Sequence, residues 1–299
     1  MRVFVAGASG ALGSRLVPQL IDAGHEVIGT YHSPASAQLL QVLGAEPVRL
    51  DLLDARAVHT AVLDSRPDAI VHQATALADV KFGRSLDKTF AVTNRLRTEG
   101  TDALLAAASE AGVRRFVAQS FAPFLYARQG GPVKTEADPV DQAPLRGTSK
   151  AFAAITHLEK VTTDFGGIVL RYGGFYGAAN DALVEPVRKR QFPVVGDGGG
   201  IFSWLHLDDG AAATVLAEAL GAKPPRHVPA WLARLIAGSA AVEVATQARG
   251  SSNAKAKREL GWTLRYPSWR TGFPATYSAI AVADGQAAGQ GAGATYARD

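Results

Sequence analysis

Val3-Phe4-Val5-Ala6-Gly7-Ala8-Ser9-Gly10-Ala11-Leu12-Gly13 decides how this chain is read. An apolar run ends at Gly7, where the chain must turn sharply, and a helix-like stretch, Ala11–Ile21, follows. Gly10 lets backbone amides approach a pyrophosphate closely, and Gly13 lets the new helix pack against the strand it leaves. The helix start adds unsatisfied N–H groups and the positive end of a dipole, both suited to phosphate. The spacing is G-x-x-G-x-x-G rather than the commoner G-x-G-x-x-G. A glycine motif alone is a weak signal, since a tight turn that binds nothing has the same residues. Its place between a strand and a helix, at the head of an alternating series, makes a dinucleotide site the expectation.

Working outward, Val27–Gly29, Val48–Leu50, Ala69–Val71 and Arg115–Ala118 read as strands. Between them Ala35–Leu43, Ala55–Leu63 and a long stretch, Asp87–Ala111, read as helices. This alternation predicts an α/β fold, a doubly wound parallel sheet. Phe121–Ala143 is rich in proline and glycine and is expected to be mostly loop. A helix at Thr148–Thr163 and a strand at Ile168–Arg171 follow, then a loop at Gly173–Asn180 and a helix at Leu183–Arg190. Ile201–Leu207 is strand-like, Asp208 is placed to cap a helix Ala211–Leu220, and Trp231–Ile236 and Asn253–Leu260 look helical. The predicted division is a dinucleotide-binding core over 1–172 and a small substrate-binding region over 173–275, with elements returning to the core. A Gly-, Ala- and Gln-rich flexible tail is expected over 276–299.

Composition narrows the function classes. The 299 residues are 47% hydrophobic and 19% charged, with a formal net charge of +4. The basic residues are scattered, so no nucleic-acid surface is expected. The absence of cysteine removes disulfides, thiolate catalysis and Cys-ligated metals. No His/Asp/Glu grouping has metal-ligand spacing, so no metal is expected, and no G-x-S-x-G elbow occurs. No apolar run is long enough to span a bilayer, and nothing resembling a leader precedes the first strand. A cytoplasmic protein with no membrane partner is the expectation.

Gly7–Gly13 together with Asp51-Leu52, Val71-His72-Gln73-Ala74, Arg171–Gly177, His206-Leu207-Asp208-Asp209 and Leu260-Gly261-Trp262 resembles the extended or atypical short-chain dehydrogenase/reductases, the NAD-dependent epimerase/dehydratase family. The likeness covers most of residues 1–275 and implies a Rossmann fold holding NADP or NAD. The implied cofactor residues are Gly7, Ser9, Gly10, Ala11, Leu12, Gly13, Asp51, Leu52, Ala74, Thr75 and Asn94. Asp51 would meet the adenine amino group, although an N-cap or loop role also suits it. No acid follows the second strand, where one would hold the ribose hydroxyls and repel a 2′-phosphate. Thr30, His32 and Ser33 stand there instead, so NADP is preferred over NAD, with His32 as a donor. The resemblance also implies a substrate region longer than Ala211–Leu220 running into Gly221-Ala222-Lys223-Pro224-Pro225 allows. That region reads as shortened, with a break suspected near Leu216–Glu218.

The family's proton donor is a Tyr-x-x-x-Lys pair on a helix, aided by a Ser or Thr after the fifth strand. The lysine lowers the phenol's pKa and contacts the nicotinamide ribose. No Tyr-x-x-x-Lys occurs in this chain. Arg146-Gly147-Thr148-Ser149-Lys150 matches the stretch, with Lys150 as a ribose contact and Arg146, a poor acid, at the tyrosine position. Ser120, Tyr126 and Tyr176 are the substitute candidates, each also readable as packing or loop anchoring. Arg171, Phe175, Tyr176 and His206 are expected to flank the substrate, with a structural His206 as the alternative. Three functions remain open: an oxidoreductase acting on a small carbonyl or alcohol with a non-standard site, a sugar-nucleotide epimerase or dehydratase, and a non-catalytic dinucleotide-binding regulator. The missing phenol argues against the second. The resemblance also implies a possible homodimer through two long helices, a part that 89–111 and 148–163 could take.

Overall fold

A computed structural model describes residues 1–77, 86–122, 125–144, 147–177, 189, 194–195, 200–201, 203–206, 227–228, 242, 246–261, 263–267 and 270–277. Six strands form one parallel sheet: β1 (Arg2–Ala6), β2 (Glu26–Tyr31), β3 (Glu46–Arg49), β4 (Ala69–His72), β5 (Arg115–Phe121) and, numbered after a short β6 (Val133–Lys134), β7 (Ile168–Tyr172). Their order is β3-β2-β1-β4-β5-β7. The chain winds from β1 to one side, returns to β4, and winds to the other, which is the doubly wound sheet predicted. The reversal leaves a crevice beyond the carboxyl ends of β1 and β4, where ligands of such sheets collect.

Both faces of the sheet are covered, which is why its strands read as continuous apolar runs. Phe4, Ile28, Ile70 and Phe116 point to one side and meet Val58, Val62 and Leu104. Those partners come from the helices α3 (Ala55–Ser65) and α6 (Thr101–Glu110). Val3, Val5, Val27 and Ala69 point to the other and meet Val17 and Leu40, from α1 (Gly13–Asp22) and α2 (Pro34–Val42). Each large side chain fully buried in these layers contributes roughly 1.5–3 kcal/mol.

The single helix expected at Asp87–Ala111 is instead α4 (Leu86–Thr89), α5 (Ala91–Arg95), a π-helical turn (Leu96–Gly100) and α6. The wider turn presents the Leu96 carbonyl to the His72 Nε2–H at 3.3 Å and the Thr101 hydroxyl at 3.5 Å. Hydrophobic periodicity cannot show such an inserted residue. α7 (Ser149–Asp164) packs across this helix and β5.

The loop expected at Gly173–Asn180 contains β8 (Gly174–Tyr176), which pairs in parallel with a strand at Trp204–His206. Glycine permits this pairing, because a Cβ at Gly174 would lie 2.9 Å from the Trp204 ring. The predicted loop at Phe121–Ala143 is pinned by β6, paired with Gly250–Ser251. Lys134 is buried there, with Nζ donating to the Gln129 carbonyl at 2.5 Å and to Asp138 at 3.3 Å. The helix Asn253–Leu260 is found as Ala254–Leu260. Another helix covers 270–277 and buries Phe273 and Tyr277, so Thr276 and Tyr277 belong to the fold rather than to the tail expected from 276. The helices expected at Ala211–Leu220 and Trp231–Ile236, Asp208, the suspected break at Leu216–Glu218, and all but Lys189 of the helix at Leu183–Arg190 lie outside the described residues. Among the described residues no helix is long and apolar enough to cross a membrane.

Candidate active site

The glycine turn stands at the crevice. Gly7 adopts φ +85°, and its N–H donates to Thr30 Oγ1 at 3.0 Å. A Cβ there would lie 2.7 Å from Ala74 Cα, and a Cβ on Gly13 would collide with the carbonyl oxygens of Gly7 and Ala8. Gly10 N–H closes the turn onto Gly7 O at 3.1 Å. Gly10 and Ala11 are exposed, with Ser9 and Leu12 partly so. Helix α1 has no side-chain cap and no acid in its first turn. The arc Ser9–Gly13 therefore offers backbone donors with neither a side chain nor a carboxylate in the way, and it fits the diphosphate of a dinucleotide.

Around it the expected cofactor residues divide. Ala74 backs onto Gly7, and Thr75 follows at the half-buried edge. Asp51 is exposed and accepts from Leu53 N–H at 2.9 Å, which leaves its second oxygen outward. The Leu52 side chain is core, so only its backbone borders the crevice. At the end of β2, Thr30 is committed to Gly7, and Ser33 caps α2 by accepting from Ser36 N–H at 3.2 Å. His32 is left exposed. Arg49, which the sequence reading passed over, is exposed at the end of β3 opposite Tyr31 in register. Asn94 is buried, and neither atom of its amide has a hydrogen-bond partner.

The expected catalytic residues are drawn into a different arrangement. Ser120 is fully buried at the end of β5, and its hydroxyl donates to Glu159 Oε1 at 2.6 Å. Arg171 grips the same carboxylate through Nε at 2.9 Å and Nη2 at 2.7 Å, and donates to the Tyr126 phenol oxygen at 3.2 Å. Ser120, Tyr126 and Arg171 are thus brought together, but by Glu159, in a closed structural network. Burial pushes the Tyr126 phenol's pKa up, against the pull of Arg171. Glu159 was missed. Its signal was its place on the apolar face of α7, in step with Ala151, Ile155, Leu158 and Thr162.

Lys150 lies on the exposed first turn of α7, where the Lys150 and Ala151 amides donate to Asp87 Oδ1 at 2.8 and 3.1 Å. Arg146 lies outside the described residues. The inward face of the helix presents Ala151, packed on Leu86 and Phe90, and one turn later Ile155, packed on Ala122, Leu125 and Tyr126. A second phenol missed from the sequence, Tyr172 at the end of β7, is bonded to Gln73 and pushed up to about 12 by burial. Phe175 leans on it, with ring centroids 5.4 Å apart. Tyr176 and His206 are buried, with ring centroids 4.7 Å apart, and Tyr176 also packs on Phe273 at 4.4 Å. His206 Nε2 shares a hydrogen bond with Thr276 Oγ1 at 2.9 Å. Tyr266 and Tyr277 complete this aromatic cluster, with ring centroids 4.5 Å from His206 and 6.3 Å from Tyr176. A surface cavity of about 670 Å³ lined by Arg66, Pro67, Asp68, Arg114 and Arg115 lies at the opposite, amino edge of the sheet, away from these groups.

Comparison with known proteins agrees with the fold. The model of the NAD dependent epimerase/dehydratase family matches residues 3–229. A 3-diazoavenalumate denitrifying reductase from a Streptomyces species is 38% identical, over 91% of this chain and 99% of its own. A 2-alkyl-3-oxoalkanoate reductase from Stenotrophomonas maltophilia is 32% identical, over 74% of this chain and 66% of its own. The UDP-glucose 4-epimerase of Thermotoga maritima, solved with UDP-glucose, superposes with a TM-score of 0.72 over 96% of this chain and 100% of its own, at 19% identity.

Proposed function

The chain belongs to the NAD dependent epimerase/dehydratase family, and from that premise we propose that it is an NADPH-dependent reductase whose substrate accepts hydride without a proton from the protein, an arenediazonium group being the foremost candidate. The observation that carries this reading is that the hydroxyl candidates are already engaged, Ser120 donating to Glu159 and the Tyr126 phenol held by Arg171, in a chain that has Arg146 at the tyrosine position of the Tyr-x-x-x-Lys stretch. A nicotinamide dinucleotide held on Ser9–Gly13 supplies hydride. Reducing a ketone to an alcohol takes a hydride and a proton, and the developing alkoxide needs an acid poised near neutrality. The phenols here are poorly suited, since burial raises Tyr126 and Tyr172, and the Ser120 hydroxyl is engaged in donating a hydrogen bond to Glu159. Replacing an arenediazonium group takes one hydride, forms one C–H bond and releases dinitrogen, with no proton consumed. The 38%-identical relative, matched along nearly its whole length, is named for denitrifying a diazo compound, which supports the same class.

The preference for NADPH rests on the absence of an acid at the end of β2 and on His32 and Arg49 beside that turn. An acid there would repel the 2′-phosphate, whereas an arginine accommodates it. The 32%-identical oxoalkanoate reductase favours a second reading, reduction of a small ketone with water as the proton source.

The test is NADPH oxidation, corrected for the enzyme-free rate, with arenediazonium salts and with a ketone panel. The proposal expects one dinitrogen and one arene per NADPH, and NADH at least tenfold slower. Turnover of ketones with inert diazonium salts would move the assignment to the second reading. Nucleotide binding without any turnover would favour a regulatory protein.

A further inference from the structure

Arg97 is an anomaly. It sits in the π-helical turn, only 5% exposed, and among the described residues its guanidinium, whose nitrogens keep slight contact with solvent, makes no hydrogen bond and no ion pair. A guanidinium is seldom withdrawn from water without a counter-charge, because removing it from solvent is costly unless something compensates. Its charge is felt at His72, whose Nδ1 is also buried and unpartnered. One turn earlier on the same helix, Asn94 is buried with both amide atoms unpartnered. Thr93 marks where this face looks, since its Oγ1 accepts from Ala76 N–H at 3.1 Å, in the segment that follows β4 at the crevice. Buried donors on one helix face, beside the ligand edge of the sheet and without protein acceptors, describe half of a site.

We propose that Arg97, seconded by Asn94, binds a carboxylate of the substrate, so that the reductase proposed above acts on small aromatic acids. Guanidinium and carboxylate form charge-assisted, often bidentate hydrogen bonds, and a buried arginine without a protein acid supplies that fork ready-made. A neutral ligand would leave the charge uncompensated. The ligand's carboxylate would satisfy Arg97 and the Asn94 amide together, and would leave the far end of an aromatic ring free for hydride.

Benzoate is the probe, with benzamide as its neutral counterpart, titrated calorimetrically against the full chain with and without NADP⁺. The expected result is benzoate binding to the unaltered protein and at least tenfold weaker binding to Arg97→Met. Arg97→Lys should be intermediate, and benzamide equally weak on all three. Thermal melting of Arg97→Met should show a fold at least as stable as the parent, since an uncompensated charge has been removed. Equal benzoate affinity in parent and Arg97→Met, or no benzoate binding to the parent, would overturn the proposal. So would a loss confined to NADP⁺ affinity, which would give Arg97 to the cofactor. Because benzoate carries no reducible group, its binding stands or falls independently of the diazonium reading.

Discussion

At the scale of single residues, the hub that joins Ser120 to Arg171 is a carboxylate. Glu159 accepts from Ser120 and from two nitrogens of Arg171 while almost wholly enclosed, its side chain 11% and that of Arg171 23% exposed. Breaking a buried pair by neutralising one partner leaves the other uncompensated and costs about 3–5 kcal/mol. Glu159→Gln should therefore lose about that much stability in urea melts, and Ser120→Ala only about 1 kcal/mol, the ordinary value of one hydrogen bond. If Ser120→Ala instead left stability intact and abolished turnover, Ser120 would be a catalytic hydroxyl. The sequence made the glycine turn legible because Gly7, Gly10 and Gly13 are needed for local reasons, a sharp turn and close approach. It did not reveal Glu159 as a hub or Arg97 as a lone buried charge, because both properties are defined by partners far along the chain. Tyr176 and His206 were singled out by family resemblance, and the parallel pairing of Gly174–Tyr176 with Trp204–His206 that brings their rings together is a long-range feature no local pattern shows.

At the scale of elements, α7 is held at its start by another helix. Its start has no cap of its own, and Asp87 of α4 reaches across to the amides of Lys150 and Ala151. Losing a side-chain cap costs about 1 kcal/mol, so Asp87→Ala should lower stability by about that amount. Lys150→Ala, at an exposed position, should change NADPH affinity and turnover by less than about twofold, and a tenfold fall in NADPH affinity would restore Lys150 as a ribose contact. The strands and most helices around this element were legible from alternation and periodicity. The π-helical turn was not, since an inserted residue in a helix leaves the apolar pattern nearly unchanged.

At the scale of the whole molecule, the buried polar layer between β4 and the π-helical turn ties stability to pH. Burial holds His72 down to about 4 from its usual 6.5, with the bond to the Leu96 carbonyl opposing and Arg97 adding to the effect. The unfolded chain therefore takes up a proton near pH 6.5 that the folded chain refuses until about pH 4. Stability should be level above pH 6.5 and fall by roughly 3 kcal/mol towards pH 4. His72→Gln should flatten that slope in urea melts run across the range, and an unchanged slope would assign acid lability elsewhere. The same sheet that buries His72 carries the glycine turn at its carboxyl edge, and the function proposed for that edge is hydride delivery without a protein acid. The direct measurement is to supply NADPH deuterated at nicotinamide C4 and follow an arenediazonium carboxylate to its arene by mass spectrometry. Deuterium at the carbon that lost dinitrogen, at a rate nearly flat between pH 6.5 and 8, is the predicted outcome. An arene carrying solvent hydrogen, or a rate that titrates with a single acid in that range, would contradict it.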